Sequence, residues 1–359
     1  MQVIDIGLPS RGRRVRRAVW VLLLGACAST ENPTATTIRV GWQVSWATQG
    51  QIAQTLQRTN ALALNGLRGE FKGFSYGAPL NEAALAGEVD VLFTADQPAA
   101  ALLARDDRWK IICRLMYSRV ALYVPRNSPV RTVADLRGRT IAMPFGAASQ
   151  RETLKALRAA GLDPTRDTRI VHMDISEQAG VIEAGDGESW GVVDAMAGYD
   201  PTAASFEQRG LARMLHLSEV TSVVMLSTDY HERHPGAASD FVKAFIAAYQ
   251  YYATHQREAG DWFLSASRLR FDPAVLDVAA AVEPNIRAVA LRDIDVRLTA
   301  RDVARLQEAA DFNADNGMVK RRVAMRDFID AKPLEAALRD LVADPARVAT
   351  VMRAKRAAR

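Results

Sequence analysis

The sequence predicts an α/β protein with a mostly parallel sheet. Short strand-like runs rich in β-branched residues alternate with segments of helical periodicity, as in βαβ units. Glycines stand just past several helical runs, where C-terminal caps belong. The chain has 359 residues, enough for two lobes of ordinary domain size, and its 49% apolar and 24% charged composition excludes a disordered protein.

A first series of elements covers about residues 37–117. It contains four strand-like runs, a helix predicted over residues 51–64, a helix closed by Gly87 and a helix beginning near Pro98. The strand-like runs are "TIRVGW", "FKGFSY", "VDVLFT" and "WKIICRLMY". Together they predict one compact α/β lobe.

A second α/β series follows a strand that leaves this lobe, "RVALYVPRNSPV". Its helices are expected to end at Gly161 and Gly210. The strand "VTSVVMLSTDY" then returns the chain to the first lobe, and the remainder from Asp229 is mainly helical. Ligands of such proteins bind where strand ends meet helix N-termini in a cleft.

The N-terminus has the parts of an export signal. An arginine cluster precedes the short apolar run "AVWVLLLGA", and "LGAC" ends on Cys27. Residues 1–26 are therefore predicted to be a signal peptide, with lipidation of Cys27 expected and simple cleavage nearby as the alternative. Without residues 1–26 the chain has 41 basic and 40 acidic residues, so its net charge does not indicate nucleic-acid binding.

Several motifs resemble, in order, the periplasmic substrate-binding proteins of ABC importers, in the branch that takes sulfonate, nitrate and taurine. The resemblance covers about residues 37–290 and rests on four stretches: "IRVGWQVS", "YGAPLNEAALAGEVDVLFTADQPAAALLA", "SPVRTVADLRGRTIAMPFGAASQRETLKALRAAGL" and "WGVVDAMAGYDPTAAS". It implies the type II periplasmic-binding-protein fold, with two hinge crossings and the ligand in the cleft between two lobes.

The resemblance also implies boundaries. One lobe would comprise residues 37–117 and 222–345, and the other residues 118–218. The hinge strands would lie near 119–124 and 221–226, and the lobes would close over the ligand.

The stretch "TADQP", residues 94–98, joins an apolar strand to an alanine-rich helix. In the family this turn faces the cleft, where free backbone N–H groups and the helix dipole attract an anionic head group. Thr94, Asp96 and Gln97 are therefore expected at the ligand. For Asp96, capping of the helix is an equal alternative, since a carboxylate repels an anion.

Two further loops of the first lobe face the cleft in the family. The amide of Gln43 can donate to and accept from a polar ligand, and Trp46 can form an apolar wall or belong to the core. Gly77 and Ala78 are small enough to allow close approach of the backbone.

The second lobe contributes "FGAASQ" and "AGYDP". The family loop carries hydroxyls after its glycine, but this chain has Ala147 and Ala148, which leaves backbone N–H groups and Gln150 or Arg151. Ser149 and Glu152 match a capping box, a reading favoured over ligand contact. The last two candidates follow at the end of a later strand: Tyr199, able to stack or donate its hydroxyl, and Asp200, which faces ligand or caps the next helix.

No catalytic, metal or cofactor motif is expected. The histidines of "HERH" are three residues apart, unlike a helical zinc-protease signature, and Cys113 is expected to be a buried structural thiol. The sequence and the resemblance thus predict a monomeric, non-enzymatic periplasmic receptor, anchored to the membrane by lipid. It would capture a small organic anion, namely an aliphatic or aromatic sulfonate, taurine or a nitrate-like anion, for an ABC permease and ATPase. The alternatives are a binding protein for a thiamine pyrimidine precursor or an aromatic carboxylate.

Overall fold

The computed structural model describes residues 35–343, so the predicted signal segment and Cys27 lie outside the described residues. The strands are β1 (Thr36–Gln43), β2 (Leu67–Phe74), β3 (Val91–Ala95), β4 (Trp109–Pro125), β5 (Thr140–Met143), β6 (Arg169–His172), β7 (Ala195–Tyr199) and β8 (Ala212–Ser227). They form one sheet in the order β2-β1-β3-β8-β4-β7-β5-β6.

The helices lie between and after these strands in the chain. In chain order they are α1 (Gln49–Arg58), α2 (Ala61–Leu64), α3 (Gly77–Leu85), α4 (Asp96–Leu103), α5 (Ala148–Ala159), α6 (Ile175–Glu183), α7 (Thr202–Gln208), α8 (Thr228–Arg233), α9 (Ala237–Thr254), α10 (Gln256–Ser267), α11 (Ala274–Ala280), α12 (Ala300–Asp315) and α13 (Lys332–Ala343). Within residues 35–343, no helix combines the length and apolar character needed to cross a membrane.

The antiparallel pair β4 and β8 forms the spine of the sheet. The two strands pair from Trp109–Ser227 at one end to Pro125–Ala212 at the other. β3 adds to β8 at the first end, and β7 adds to β4 at the second. The sheet is therefore mixed rather than mostly parallel: the parallel pairs lie in two half-sheets, β2-β1-β3 and β7-β5-β6, on either side of the spine.

Apolar clusters cover both faces of each half-sheet. Successive residues of β3 alternate between clusters: Val91 and Phe93 belong to one, and Leu92 belongs to another. In β4, Leu122 and Tyr123 divide in the same way between two further clusters. Since neighbouring side chains of a strand point to opposite faces, each half-sheet is packed on both sides.

Two predicted boundaries differ from the structure. The helix predicted over residues 51–64 is broken, because Thr59 is extended and its hydroxyl donates to the Thr55 carbonyl at 2.7 Å. The two strands predicted around residues 109–130 form one continuous strand, β4, because β8 supplies a partner along its whole length. Gly161 and Gly210 follow helix ends with positive φ, as predicted.

Helix α12 connects the two half-sheets. Leu306 packs in a cluster beneath the first half-sheet, and Phe312 packs in a cluster of the second. Lys155 of α5 forms an ion pair with Glu308 of α12. Helix α12 therefore contacts both half-sheets.

Candidate site at the junction of the half-sheets

The candidate residues of the two half-sheets meet where α4 and α5 begin. α4 starts directly after β3, and α5 starts after β5, so both helix N-termini follow the carboxyl ends of strands. The loops after β1, β2 and β7 reach the same region. This region is called the junction below.

Trp46 and Tyr199 are in direct contact at the junction. Their ring centroids lie 4.3 Å apart with an interplanar angle of 31°, and both side chains are buried. The Tyr199 hydroxyl oxygen lies 3.0 Å from Ser45 Oγ and donates to the Ser75 carbonyl at 3.2 Å. Burial raises the pKa of Tyr199 above its ordinary value, so the phenol stays neutral.

Asp96 and Arg151 form a buried ion pair between α4 and α5. Arg151 Nη2 donates to Asp96 Oδ2 at 2.8 Å, and the side chains are 2% and 0% exposed. The other carboxylate oxygen of Asp96 accepts from the Gln97 N–H at 2.7 Å. Asp96 thus contacts its own helix and pairs with a cation across the junction.

Arg151 has a second acidic neighbour and one unpartnered nitrogen. Its Nε donates to Glu152 Oε1 at 2.8 Å, and Lys155 also donates to that oxygen at 3.4 Å. Burial by itself lowers the pKa of Arg151, but Asp96 and Glu152 raise it above its ordinary value, so the group is a permanent cation. Its Nη1 is buried and has no hydrogen-bond partner among the described residues.

Two buried hydroxyls near this pair also have no partner. Thr94 lies two residues before Asp96, and Ser149 lies two residues before Arg151. Their oxygens are buried, and neither forms a hydrogen bond within the described part of the chain. A hydroxyl both donates and accepts, so each can serve a bound polar group.

The capping box predicted for Ser149 and Glu152 is wrong. α5 begins two residues earlier than a capping box requires, with Ala147 instead of Ser149 at the N-cap. Ser149 therefore lies inside the first turn, and the Glu152 carboxylate is engaged by Arg151 and Lys155. Although Ala147 and Ala148 lack hydroxyls, Ser149 places one in the same turn.

Small residues bring the loops close together. A Cβ on Gly77 would meet the Pro98 ring at 2.5 Å, so the start of α3 packs on the first turn of α4 because residue 77 is glycine. Ala78 faces the other half-sheet, where a Cβ on Gly146 would lie 3.5 Å from the Ala78 methyl group.

Other predicted residues contact groups of their own half-sheet. The Gln43 amide donates to the Phe93 carbonyl at 3.3 Å. Gln150 Oε1 accepts from the Gly146 N–H at 2.7 Å, which fixes the turn before α5. Gln97 contacts α12 and the chain just after it: its carbonyl accepts from Asn313 at 3.0 Å, and its side-chain amide donates to the Met318 sulfur at 3.6 Å.

Asp200 contacts the first turn of the next helix, as one of its two predicted alternatives expects, and it also forms an ion pair that was not predicted. Its Oδ1 accepts from the Ala204 N–H at 3.0 Å at the start of α7, and its Oδ2 accepts from Arg119 Nε at 2.6 Å. Burial raises the pKa of Asp200, and the bond from Arg119 opposes this. Arg119 Nη2 is itself buried and unpartnered among the described residues.

The histidines and the cysteine do not form a reactive cluster within residues 35–343. No group of three or more His, Cys, Asp or Glu side chains there is placed to hold a metal ion. Cys113 is buried in β4, and burial raises the pKa of its thiol. The "HERH" stretch lies in and just after the short helix α8.

Comparison with known proteins identifies the family. Residues 40–248, more than half of the chain, match the model of the bacterial extracellular solute-binding proteins. The chain belongs to this family. The resemblance found in the sequence is thereby confirmed at the level of the family.

Individual relatives of this bacterial extracellular solute-binding protein agree on the fold. A curated Escherichia coli (strain K12) protein, named for binding aliphatic sulfonates, is 25% identical over 321 residues, covering 85% of this chain and 91% of its own. The alkanesulfonate-binding protein of Xanthomonas axonopodis pv. citri, bound to MOPS, has a TM-score of 0.66 at 20% identity, covering 82% of this chain and 98% of its own.

An enzyme shares the fold as well. The desulfurization enzyme DszB in complex with biphenyl-2-sulfinic acid matches with a TM-score of 0.64 at 16% identity, covering 85% of this chain and 99% of its own. These matches establish the periplasmic-binding-protein fold, as predicted. Because a binding protein and an enzyme share this fold, the fold alone does not distinguish a receptor from an enzyme.

Sequence reasoning chose Asp96 and Tyr199 but not all of the residues that they contact across the junction. Arg151 was only a fallback donor, and Ser45 and Ser75 were not candidates. The signal in the sequence that could have indicated Arg151 is its position four residues after Ala147, in the first turn of a helix that faces the other half-sheet. Its pairing with Asp96 could not be inferred from spacing, because the two residues lie on different helices.

Proposed function

We propose that this chain is the solute-binding component of an ABC importer and that it captures a small organic anion, with a sulfonate head group as the first candidate. It would deliver this solute to a permease and its ATPase from the periplasm. A monomer anchored through a lipid on Cys27 is part of the same proposal.

The observation that carries the proposal is the unpartnered guanidinium nitrogen of Arg151. A buried arginine donor without a protein acceptor is costly, and an oxyanion such as a sulfonate satisfies it with a short charge-assisted bond. Since Arg151 lies in the first turn of α5 and its partner Asp96 begins α4, an anion bound there would touch both half-sheets.

The proposed lobes agree with this arrangement. We place residues 37–117 and 222–345 in one lobe and residues 118–218 in the other, with hinges at 119–124 and 221–226. Both hinge segments belong to the paired strands β4 and β8, the only strands of the described sheet that run along both half-sheets. Bending of this pair would open and close the junction.

The relatives support sulfonate as the head group. The Escherichia coli relative is named for aliphatic sulfonates, and the Xanthomonas structure contains MOPS, which carries a sulfonate. An enzymatic role, as in DszB, receives no support from the described residues: burial keeps the Cys113 thiol protonated, so it does not provide a thiolate nucleophile.

The test is a thermal-shift screen of the purified chain. Alkyl and aryl sulfonates, nitrate, aromatic carboxylates and pyrimidines are compared at equal concentration. A ligand at 100 times its dissociation constant adds about 2.7 kcal/mol to the free energy of unfolding, which raises the melting temperature measurably. A shift with sulfonates is expected. A flat response, with co-purified ligand excluded by native mass spectrometry, would contradict the proposal.

The contact between Trp46 and Tyr199 disfavours the second candidate, an aromatic ligand such as a thiamine pyrimidine precursor or an aromatic carboxylate. Each ring already packs against the other, so a stacked ligand would have to separate them. Trp46→Ala and Tyr199→Ala should weaken binding of a stacked pyrimidine far more than binding of an alkyl sulfonate. Isothermal titration of both variants with both ligands distinguishes the two candidates.

A further inference from the structure

An open groove of about 740 Å³ lies between α9, α13 and the short 3₁₀ turn Leu291–Asp293. Its lining is mainly apolar and includes Ile246, Leu291, Ile294, Leu338, Leu341 and Val342. Ile246, Ile294 and Leu341 are buried, whereas Val342 is 80% exposed. None of the residues assigned to the junction lines this groove, so it is a separate surface of the protein.

The charged side chains of the groove have one sign. The residues that line it include Arg292 and Arg297 and no aspartate or glutamate. Arg297 pairs with Asp295 at 3.2 Å, but the two side chains are 63% and 64% exposed, so water weakens this pair. Arg292 is exposed and forms no ion pair among the described residues. The groove therefore combines an apolar surface with two cations that are available to an anionic group.

The groove offers few free polar groups to a peptide. A peptide brings a backbone N–H and a carbonyl at almost every residue, and these groups need partners when they are buried. The Gln250 amide already donates to the Val289 carbonyl at 2.9 Å, and the Thr254 hydroxyl donates to the Gln250 carbonyl at 3.0 Å. An alkyl chain needs no such partner and is stabilised by burial against apolar side chains. The lining therefore favours an alkyl chain over a peptide.

The C-terminal segment of the chain is not complementary in charge to the groove. Residues 344–359 follow α13 and contain five basic residues and one acidic residue. The two arginines of the groove repel a segment with this net charge, whereas they attract an anionic head group. The charges therefore favour an anionic molecule over residues 344–359 as the occupant.

We propose that this groove is a second ligand site, for a free anionic amphiphile with one alkyl chain, such as a long-chain carboxylic acid. The alkyl chain lies between α9 and α13, and the acidic head group contacts Arg292 and Arg297. The volume of the groove is within the range of about 300 to 1,000 Å³ that is typical of small-ligand sites. This proposal goes beyond the proposed function and does not depend on it, because the two sites share no residue.

The experiment is isothermal titration of the full chain with laurate, below the concentration at which laurate forms micelles. Saturable binding of one laurate per chain is expected. Dodecyltrimethylammonium has an alkyl chain of the same length and the opposite charge, and butanoate has the same head group and a short chain. Each of these two probes should bind at least tenfold more weakly than laurate, since one lacks the attraction to the arginines and the other lacks the apolar contact.

Val342→Glu is the decisive variant. Its carboxylate repels the laurate head group and is desolvated beside the alkyl chain, so laurate should bind at least tenfold more weakly. Val192→Glu is the matched control, because Val192 is 86% exposed, lies in the loop before β7 and does not line the groove. It should leave laurate affinity unchanged. Arg292→Ala should weaken laurate and leave dodecyltrimethylammonium unchanged or bound more tightly.

Three contrary outcomes would overturn this proposal. The native chain would show no saturable binding of laurate if residues 344–359 or a second copy of the chain covered the groove. Laurate affinity that Val342→Glu leaves unchanged would mean that laurate binds elsewhere, the junction included. Sedimentation with phosphatidylglycerol vesicles that Val342→Glu abolishes, without binding of laurate, would assign the groove to a membrane lipid instead of a free acid. Sulfonate binding, measured in the same variants, tests the proposed function separately.

Discussion

Two of the buried arginine–carboxylate pairs among the described residues differ in how completely their hydrogen bonds are satisfied. Arg114 and Glu283 lie 2.6 Å apart, with exposed fractions of 4% and 0%, close to those of Arg151 and Asp96. Arg114 also donates to the Asp295 carbonyl, and Glu283 also accepts from the Tyr117 N–H. Within residues 35–343, Arg114 has no buried nitrogen without a partner, whereas Arg151 has one, Nη1.

This difference separates a structural pair from a binding pair. The Arg114 pair joins β4 to the segment around Glu283, and protein groups complete its bonds. The Arg151 pair joins two helices across the junction and retains a free donor. Equal burial and equal charge therefore do not imply equal roles, and the decisive quantity is whether the protein itself supplies every partner.

The largest expected effect is on stability at the structural pair. Glu283→Ala leaves Arg114 buried without its counter-charge, which should lower the free energy of unfolding by about 3 to 5 kcal/mol. Urea denaturation measures this loss. The ligand affinity of the folded fraction should stay unchanged. A large loss of affinity would contradict the structural role assigned to the Arg114–Glu283 pair.

Arg151→Lys should act mainly on binding. Lysine keeps the charge but loses the forked geometry, so one or two charge-assisted bonds to the anion are lost, each worth about 1.5 to 3 kcal/mol, or roughly ten- to hundredfold in affinity. Isothermal titration with the sulfonate that shifts the native chain measures this. Arg114→Lys is the matched control, expected to lower stability with no change in affinity. Equal sulfonate affinity of the Arg151→Lys and Arg114→Lys variants would contradict the distinction between a binding pair and a structural pair.

The smallest expected effect is the change in stability when Ser149 is replaced, which tests whether Ser149 caps a helix. Its hydroxyl caps no helix, so Ser149→Ala should change the free energy of unfolding by less than about 0.5 kcal/mol in the absence of ligand. Asp174 is a true N-cap, accepting from the Ser176 N–H, so Asp174→Ala should cost about 1 kcal/mol. Thermal denaturation of both variants tests this. Equal losses would restore the capping interpretation of Ser149.

The local sequence predicted most of the fold because its signals are local. The β-branched and apolar residues of β1, β3 and β8 favour extended chain, and Gly161 and Gly210 end helices through their positive φ. The family resemblance and most of the cleft loops also followed from the order of short motifs. Trp46 and Tyr199 were among the candidates that the structure brings into contact.

The sequence by itself determined the element types, the family and several residues near the junction. Tertiary structure alone decided that β4 is unbroken, that Ser149 lies inside a helix, and that Asp96 pairs with Arg151. These features depend on groups far apart in the chain: the ladder from β8 and the approach of α5 to α4. Spacing and periodicity describe neighbours along one element, whereas the counter-charge of a buried group is set by packing between elements.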